Sequence, residues 1–265
     1  MSLSFVAFAS CSDDKENEHS GPGNVPENSS SVLSSSGKER GHSYVDLGLP
    51  SGTLWATCNV GAATPQDYGN YYAWGEITTK ETYTWDTYKY GSAGNQLVKY
   101  CDNSEYGKDG FTDNKTTLEL SDDAAYMNWG GKWRMPTYDQ QEELMSQCYW
   151  VWTNSYNGSN VAGYIVYKAK SSSDKGKKIY KNGTTSSSSS YTLSDAHIFL
   201  PAAGYYYHDG GLDYVGSDGI YWSSFLGTHY SECAWLILFY SGDVYTTTTT
   251  RRFCGQSVRA VIPGN

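Results

Sequence analysis

The chain is short of charged residues and has no long apolar segment. Lys, Arg, Asp and Glu together make up 18% of its 265 residues, and the net charge is -9. No run approaches the roughly 20 consecutive apolar residues that a membrane-spanning helix needs. So little positive charge argues against binding to nucleic acid or to an anionic membrane, because both are recognised through clustered Lys and Arg.

The common motifs of metal and catalytic sites are also missing from the sequence. Its six cysteines contain no CxxC pair and no zinc-ligand spacing, and its five histidines are scattered. There is no Gly-rich phosphate loop, no Ser-His-Asp signature and no pair of carboxylates with a defined partner. We therefore predict no cofactor, no metal site and no catalytic residue. Asp209, Asp213 and Asp218 lie in a Gly-rich stretch whose spacing matches no EF-hand, which favours solvated turns over the alternative of calcium binding.

Aromatic and small residues are what the sequence has in excess. It contains 25 Tyr, 9 Trp and 28 Gly. Disordered chains are poor in aromatic residues, and helical bundles are rich in Ala, Leu, Glu and Lys, so neither class fits. The composition predicts a loop-rich domain with many strands, and the length fits one large domain with a tail.

The beginning of the chain predicts an exported and tethered protein. Residues 1–10 are apolar or small and are followed by Cys11 and then by acidic residues. This resembles the end of a bacterial lipoprotein signal peptide, which implies a lipidated cysteine in a 1–11 signal segment. The alternative is an ordinary cysteine near a terminus. Without Cys11, five cysteines remain, and because this number is odd, at least one thiol stays outside any disulfide bond. Residues 12–42 have the composition of a flexible tether, which leaves 43–265 as the domain.

Local patterns predict one hairpin and two helices in this domain. Residues 44–56 contain two strand-like segments around a Pro-Ser-Gly turn, which is typical of a β-hairpin. Within 117–129, Ser121 can cap a short helix with an acidic first turn. A capping box at 137–140 begins a second helix, in which Gln141 is expected to be exposed.

Five short motifs follow one another through the domain. They are DLGLPSGTLWA at 46–56, YAWGE at 72–76, GKWRMPT at 131–137, FLPAAGY at 199–205, and YWSS at 221–224 with SVRAV at 257–261. In this order they resemble the Fibrobacter-type major paralogous domain, which is common in surface proteins of gut bacteria. That family is similar to the C-type lectin fold of formylglycine-generating enzymes and of variable proteins diversified by retroelements. The resemblance implies an α+β domain with small antiparallel sheets, two helices and long loops.

The likeness to formylglycine-generating enzymes raises an enzymatic alternative. That chemistry needs a close pair of reactive cysteines that bind copper, and Cys233 with Cys254 is the pair near the expected end of the chain. The flanking motifs of those enzymes are missing from this sequence. The resemblance therefore favours a binding domain over an enzyme.

The segment between the last two motifs predicts a contact surface. If 235–240 form a strand, alternate side chains face opposite sides, and both sides are apolar. Either the strand is buried on both faces, or the face with Leu236, Leu238 and Tyr240 is exposed for a ligand. In retroelement-diversified proteins this segment keeps its core-facing residues and varies the alternate ones, which favours the second interpretation.

The residue types in this segment fit such a surface. Adenine-directed mutation of Asn codons never yields Lys, Glu, Gln, Met or Trp, and the candidate outward positions obey that restriction. Tyr with Ser, Thr and Gly also gives adaptable contact surfaces, as in antibodies. We expect 205–207 and 246–250 at the rim, whereas Tyr72, Tyr164 and Tyr221 are expected to pack within the sheets. The candidate ligand-binding positions are Phe225, Gly227, His229, Tyr230, Cys233, Leu236, Leu238, Tyr240, Tyr245, Phe253 and Cys254.

Together these features predict a receptor-like or adhesin-like protein that a lipid holds at the bacterial outer membrane or cell surface. Its partner would be a protein or glycan on another cell, a phage or a host surface. Membrane contact would pass through the lipid alone, and no nucleic acid is involved. The alternative is an undiversified adhesion domain, or a structural, pilus-like domain that self-associates through the same apolar face.

Overall fold

The computed structural model describes residues 36–180, 190–207, 211–228 and 230–264. The predicted lipidation site Cys11, the tether up to residue 35, Asp209 and His229 lie outside the described residues. The described part is mostly strand with two α-helices and several small sheets, which agrees with an α+β class. The strands are β1 Ser36–Glu39, β2 His42–Asp46, β3 Leu54–Ala56, β4 Tyr71–Tyr72, β5 Cys148–Thr153, β6 Gly163–Lys168, β7 Lys178–Ile179, β8 His197–Pro201, β9 Tyr205–Tyr207, β10 Gly211–Asp213, β11 Asp218–Leu226, β12 Cys233–Tyr240, β13 Asp243–Arg251, β14 Gln256–Ser257 and β15 Val261–Ile262. The α-helices are α1 Ala124–Trp129 and α2 Tyr138–Gln147, and short 3-10 helices lie at Trp85–Thr87, Lys108–Gly110, Leu120–Asp122, Tyr156–Gly158 and Ser172–Asp174.

The described strands form three larger sheets and one separate hairpin. Their orders are β1-β2-β3-β15, β13-β12-β11-β14-β4 and β7-β5-β6-β8, while β9 and β10 pair with each other. Neighbouring strands are antiparallel except for β11 with β14 and β5 with β7. In the five-stranded sheet, β11 to β14 from late in the chain are joined by β4 from early in the chain, so the two halves of the sequence share this sheet.

The predicted hairpin and the second helix are confirmed. β2 pairs antiparallel with β3 around the turn at 50–52. At the start of α2, Thr137 Oγ1 accepts from the Gln140 backbone N–H at 3.2 Å, and Gln140 Oε1 accepts from the Thr137 N–H at 2.9 Å. This reciprocal pair is the capping box that the sequence predicts.

Three local predictions need correction. α1 is present, but its cap is Asp123, whose carboxylate accepts from the Tyr126 N–H, and not Ser121. Gln141 is 1% exposed, because its amide donates to the main-chain oxygens of Tyr221 and Trp222 on β11. The tether ends before residue 42, since β1 already pairs with β2 and the Glu39 carbonyl accepts from Trp133 Nε1 at 2.9 Å.

Two large apolar clusters lie on opposite sides of the five-stranded sheet. One contains Trp222 and Leu236, and the other contains Tyr221, Ile237 and Phe239 together with Leu144 of α2. Tyr72, Tyr164 and Tyr221 are at most 1% exposed, as expected of sheet packing. Among the described residues, no helix is long and apolar enough to cross a membrane.

Candidate functional site: one face of the five-stranded sheet

The two faces of β12 have different neighbours. Trp235, Ile237 and Phe239 point toward α2, and the Trp235 ring lies 4.9 Å from that of Tyr138 between centroids. This face is therefore closed by the helix. The opposite face carries Leu236, Leu238 and Tyr240, as the alternation in the sequence predicts.

Exposed tyrosines lie on this opposite face near the end of the β12–β13 hairpin. Leu238 pairs with Tyr245 across the two strands. Tyr240 and Tyr245 are each 39% exposed, and their hydroxyl oxygens are 3.2 Å apart. Large aromatic side chains held at this exposure are available for contact with another molecule.

The β9–β10 hairpin adds further tyrosines because of how Tyr206 is held. The Tyr206 ring packs against Tyr83 and Tyr71 at centroid distances of 4.8 and 5.1 Å. Since side chains alternate along a strand, Tyr205 and Tyr207 are turned to the other side. Tyr205 stacks on Tyr214 at 5.4 Å between centroids. We call Tyr205, Tyr207, Tyr214, Tyr240 and Tyr245 the tyrosine face.

Two glycines allow the hairpin to sit against β11. Gly204 has a φ of +65° and bridges to Gly219. A Cβ on Gly204 would overlap the Asp213 carbonyl, and one on Gly219 would overlap the Phe239 ring. Backbone hydrogen bonds in both directions between Tyr206 and Gly255 then tie β9 to the segment before β14.

A shallow groove of about 240 Å³ lies between the hairpin and β13. Tyr205 and Tyr207 line one part of it, 248–250 another, and Ile220, Leu236 and Leu238 contribute aliphatic surface. Gln256 also lines the groove, although it is only 1% exposed. Neither polar atom of its side-chain amide has a hydrogen-bond partner among the described residues.

The groove has no ionised side chain in its lining at neutral pH. No Asp, Glu, Lys, Arg or His is among the described residues that line it. Burial, with smaller contributions from Tyr214 and Asp218, raises the pKa of Tyr205 to about 12. Hydrogen bonding with Tyr240 raises the pKa of Tyr245. These tyrosines therefore stay protonated and can both donate and accept hydrogen bonds.

Tyr230 lies in a separate loop that Arg252 holds. Tyr230 is 56% exposed. In the same loop, the Ser231 carbonyl accepts from the Arg252 guanidinium at 2.9 Å, while Ser231 Oγ donates to Asp102 at 2.6 Å. The structure thus fixes the loop close to Tyr106, whose ring centroid is 6.4 Å from that of Tyr230.

The expectation that all candidate positions face outward is wrong for four of them. Leu236 is 1%, Phe253 3% and Cys254 0% exposed, and Gly227 is also buried. Leu236, Phe253 and Cys254 belong to the same apolar cluster as Trp222, so their burial follows from core packing. The exposed positions are Tyr230, Tyr240 and Tyr245, while Phe225, Cys233 and Leu238 are half-buried.

Burial disfavours the thiolate form of the two cysteines of the enzymatic alternative. Burial raises the pKa of Cys233 to about 11 and that of Cys254 to about 12. The thiolate is the reactive and metal-binding form, so such values oppose both functions at neutral pH. All five cysteines in the described part of the chain are free.

The acidic residues after Tyr207 are dispersed. Asp213 is exposed in β10, and Asp218 begins β11 where burial raises its pKa. Within the described ranges, no three His, Cys, Asp or Glu side chains gather as metal ligands would. A raised pKa also makes Asp218 a weaker ligand, since calcium prefers ionised carboxylates.

Two larger clefts lie elsewhere, beside β2. One, of about 410 Å³, is lined by Tyr156 and His197, and the other, of about 350 Å³, by His42 and Trp129. Both ring nitrogens of His197 are engaged, by the Tyr156 hydroxyl at 3.0 Å and the Asp195 carbonyl at 2.7 Å. His42 stacks on Trp129 at 3.9 Å, and burial lowers its pKa. These groups are occupied by internal contacts, which makes the tyrosine face the better candidate.

Sequence reasoning missed part of this site. It placed 205–207 and 246–250 at the rim, but it did not single out Tyr214 or Gln256. The only signal for Tyr214 is its place among Gly and Asp residues in the stretch 210–219. No local pattern marks Gln256, because its role depends on the pairing of β14 with β11 and β4.

No protein-family model matches the chain, and no curated protein or solved structure resembles it significantly.

Proposed function

We propose that this chain is a surface-displayed ligand-binding protein, receptor-like or adhesin-like, with a C-type lectin-like domain. It would be lipid-anchored through Cys11 at the outer membrane or cell surface. The tyrosine face would contact a molecule on another cell, a phage or a host. The observation that carries the proposal is an uncharged groove lined by Tyr205 and Tyr207 of one hairpin and by Leu238 of the other, whose strand partner Tyr245 is exposed next to Tyr240.

The chemistry of this face supports recognition. Tyrosine combines a large rigid apolar ring with a hydroxyl, and ordering its side chain costs little conformational entropy. Residues of this kind dominate the binding energy of many interfaces. The surrounding threonines add short hydroxyl groups that adapt to different partners.

The family motifs support the proposed fold by meeting inside the domain. Arg259 of the last motif is 1% exposed, and its guanidinium donates to Asn59, to the Ala56 carbonyl of the first motif and to the Phe199 carbonyl of the fourth. Trp222 Nε1 donates to the Tyr72 carbonyl at 2.8 Å, which joins the last motif to the second. Motifs that hold one another in the core fit a domain whose remaining loops vary between relatives.

Retroelement diversification is part of the proposal, in a narrower form than the sequence suggests. Burial of Leu236, Phe253 and Cys254 favours variation at the exposed and half-buried positions. The same burial is an argument for the alternative, an undiversified adhesion or pilus-like domain. A near-copy of the 3′ coding end beside a reverse transcriptase gene, with adenines at the codons of Leu238, Tyr240 and Tyr245, is the expected finding in the neighbouring DNA. Absence of both would leave the undiversified domain.

Binding can be tested with cells or beads that display the full chain. We expect Tyr240→Ala with Tyr245→Ala to reduce adhesion to target cells at least tenfold, because two exposed aromatic contacts are lost. Matched controls are Val98→Ala and Met127→Ala, which remove exposed apolar side chains that belong neither to the tyrosine face nor to the lining of the groove. If the double Tyr variant adheres as well as the two control variants, this face is rejected as the contact surface.

The pilus-like alternative and the lipid anchor have their own measurements. Self-association through the tyrosine face predicts dimers or larger species in analytical ultracentrifugation, which the double Tyr variant would abolish.

Metabolic labelling with a radioactive fatty acid tests the lipid anchor. We expect the wild-type protein to be labelled and Cys11→Ser to remain unlabelled. Labelling of that variant would remove lipidation at Cys11 from the proposal.

A further inference from the structure

A group of lysines lies outside the tyrosine face and has no part in the contact proposed above. They occupy the end of β6, the loop that follows it and the start of β7. We call these residues the lysine cluster: Lys168, Lys170, Lys175, Lys177 and Lys178. Lys178 is half-buried and the other four are exposed. The sign of the charge is therefore locally reversed in a chain whose net charge is -9.

Carboxylates neutralise only part of the lysine cluster. Lys170 Nζ lies 2.8 Å from an Asp195 oxygen, and Lys177 Nζ lies 3.5 Å from an Asp174 oxygen. The other three members form no ion pair with any described residue; they are Lys168, Lys175 and Lys178. Ammonium groups that are close together and lack counter-ions attract an anionic surface.

An exposed leucine lies beside the lysine cluster. Leu193 is 42% exposed in the turn 192–195, where the Thr192 N–H donates to Asp195 Oδ2 at 2.7 Å. Asp195 is the ion-pair partner of Lys170, whose ammonium nitrogen lies 4.7 Å from the centre of the Tyr191 ring. The turn that presents Leu193 is thus held directly by a member of the cluster. Exposed apolar side chains next to clustered lysines are typical of proteins that lie on a membrane surface.

The first described strand begins in the same region of the domain. Ser36, the first residue of β1, lines the cleft of about 410 Å³ together with Ser194 and Asp195. The chain therefore enters the domain close to Leu193. An anchor at Cys11 would bring this region to the membrane without the chain having to pass around the domain.

Building on the proposed lipid anchor, we infer that the lysine cluster and Leu193 form a second membrane contact, which binds the phosphate-bearing headgroups of anionic lipids. The ammonium groups would pair with lipid phosphates, and the Leu193 side chain would insert at the boundary between headgroups and acyl chains. A covalent lipid and a basic patch reinforce each other, because binding of one raises the local concentration of the other at the membrane.

The net negative charge of the chain does not oppose this contact. Salt screens charges over about 10 Å at moderate ionic strength, so the membrane responds mainly to the groups that face it. Composition alone predicts no anionic membrane surface, because it averages the lysine cluster with the acidic residues elsewhere. An acidic protein would also pair with the lysines, but the exposed Leu193 and the entry of the chain at Ser36 favour the membrane.

The test uses the full chain with Cys11→Ser, so that no acyl chain contributes to binding. Sedimentation measures how much protein binds to vesicles of phosphatidylcholine alone, or of equal parts phosphatidylcholine and phosphatidylglycerol. We expect binding to the anionic vesicles and not to the neutral ones. Added salt should weaken it, because the attraction is electrostatic.

Lysine variants locate the contact. Lys168→Gln with Lys175→Gln removes two exposed charges that have no carboxylate partner. We expect roughly thirtyfold weaker binding to anionic vesicles, since each lysine near such a surface contributes about fivefold. The matched control is Lys108→Gln with Lys115→Gln, which removes two exposed charges outside the cluster and should leave binding nearly unchanged.

A leucine variant tests the apolar part of the contact. We expect Leu193→Ser to weaken binding to the anionic vesicles about fivefold, because less apolar surface leaves water. Leu212→Ser is the matched control, since Leu212 is 39% exposed on β10, and it should bind like the parent chain.

Several outcomes would overturn the inference. They are equal binding to neutral and anionic vesicles, no binding to either, and equal binding of the two lysine double variants. Binding to a polyglutamate peptide as tight as that to anionic vesicles, with no effect of Leu193→Ser, would assign the cluster to an acidic protein instead.

Fatty-acid labelling of the wild-type chain keeps this inference separate from the proposed anchor. Labelling without vesicle binding by the Cys11→Ser chain would leave the anchor in place and remove the second contact. Vesicle binding by that chain without labelling of the wild type would remove the anchor and support the lysine cluster as a membrane contact.

Discussion

Arg252 carries a buried positive charge behind the loop of Tyr230. It is 0% exposed and forms no ion pair among the described residues. Its guanidinium instead donates to the Tyr88 hydroxyl and to the carbonyls of Lys99, Tyr100 and Ser231, at 2.6 to 2.9 Å. A planar group with several N–H donors can reach all four oxygens at once, which a lysine cannot do.

We therefore expect Arg252→Lys to lower the free energy of unfolding by about 3 kcal/mol, because a buried charge loses most of its hydrogen bonds. Urea denaturation measures this loss, and hydrogen exchange should show faster opening around Ser231. Arg251→Lys is the control, since Arg251 is half-buried at the end of β13, and its effect should stay within about 0.5 kcal/mol. Equal stability of the two variants would contradict this role of Arg252.

Asp122 makes stability depend on acid pH. Burial alone would raise the pKa of this carboxyl group, but hydrogen bonds from Lys99, Tyr90 and Tyr100 outweigh it and lower the pKa to about 2. The unfolded value is near 3.9, so ionised Asp122 stabilises the fold above pH 4, and this contribution is lost as the pH falls toward 2.

Wild type and Asp122→Asn differ in the free energy of unfolding, and we expect this difference to be about 2 kcal/mol smaller below pH 2 than at pH 5. Urea midpoints measured across this range test the prediction. Asp86→Asn, which removes an exposed carboxylate, is expected to show a constant gap. A gap for Asp122→Asn that does not change with pH would mean that its ion pair with Lys99 contributes nothing.

At the scale of elements, the capping box of α2 supports the closed side of the five-stranded sheet. Thr137→Ala removes the acceptor for the Gln140 N–H and should cost about 1 kcal/mol. Thr137→Ser keeps the hydroxyl and should be nearly neutral. The difference in urea midpoint between the two variants measures the cap, and identical midpoints would show that packing alone sets the start of α2.

Elements with strong local signals were predictable from the sequence, and those set by distant partners were not. The capping box and the turn at 50–52 are specified within a few residues, so α2 and the β2–β3 hairpin follow directly. Gln141 lies on the polar side of the helix pattern, but the carbonyls that bind it come from β11. β1 looks like tether sequence and becomes a strand because β2 pairs with it.

For the whole molecule, strand alternation predicted which residues share a face of β12, and long-range packing decided which residues on that face remain accessible. Leu236 and Leu238 share the face, yet Leu236 is 1% exposed and Leu238 is half-buried. Leu236 lies opposite Trp222 in the sheet, whereas Leu238 lies nearer the exposed end of the hairpin opposite Tyr245. The exposure of a side chain on this face therefore depends on its neighbours in the folded protein and not only on its position along the strand.

The separation of buried core positions from the tyrosine face predicts which positions of the whole segment tolerate variation. In a library with the residues that adenine-directed mutation allows at each candidate position, we expect broad tolerance at Tyr230, Tyr240 and Tyr245, within about 0.5 kcal/mol of wild type. At Leu236 and Phe253, a change to Ser should cost about 3 kcal/mol or more, because it creates a cavity and buries an unpaired hydroxyl.

Protease resistance of the displayed full-length library, read by sequencing, measures this tolerance at every position together. Tyr83, which is 1% exposed and outside the varied segment, serves as a reference for an intolerant core position. Tolerance at Leu236 equal to that at Tyr240 would show that the core can be repacked around it, and Leu236 would then return to the set of variable positions. Intolerance at Tyr240 and Tyr245 would instead make the tyrosine face part of the folding core and leave it unsuited to diversification.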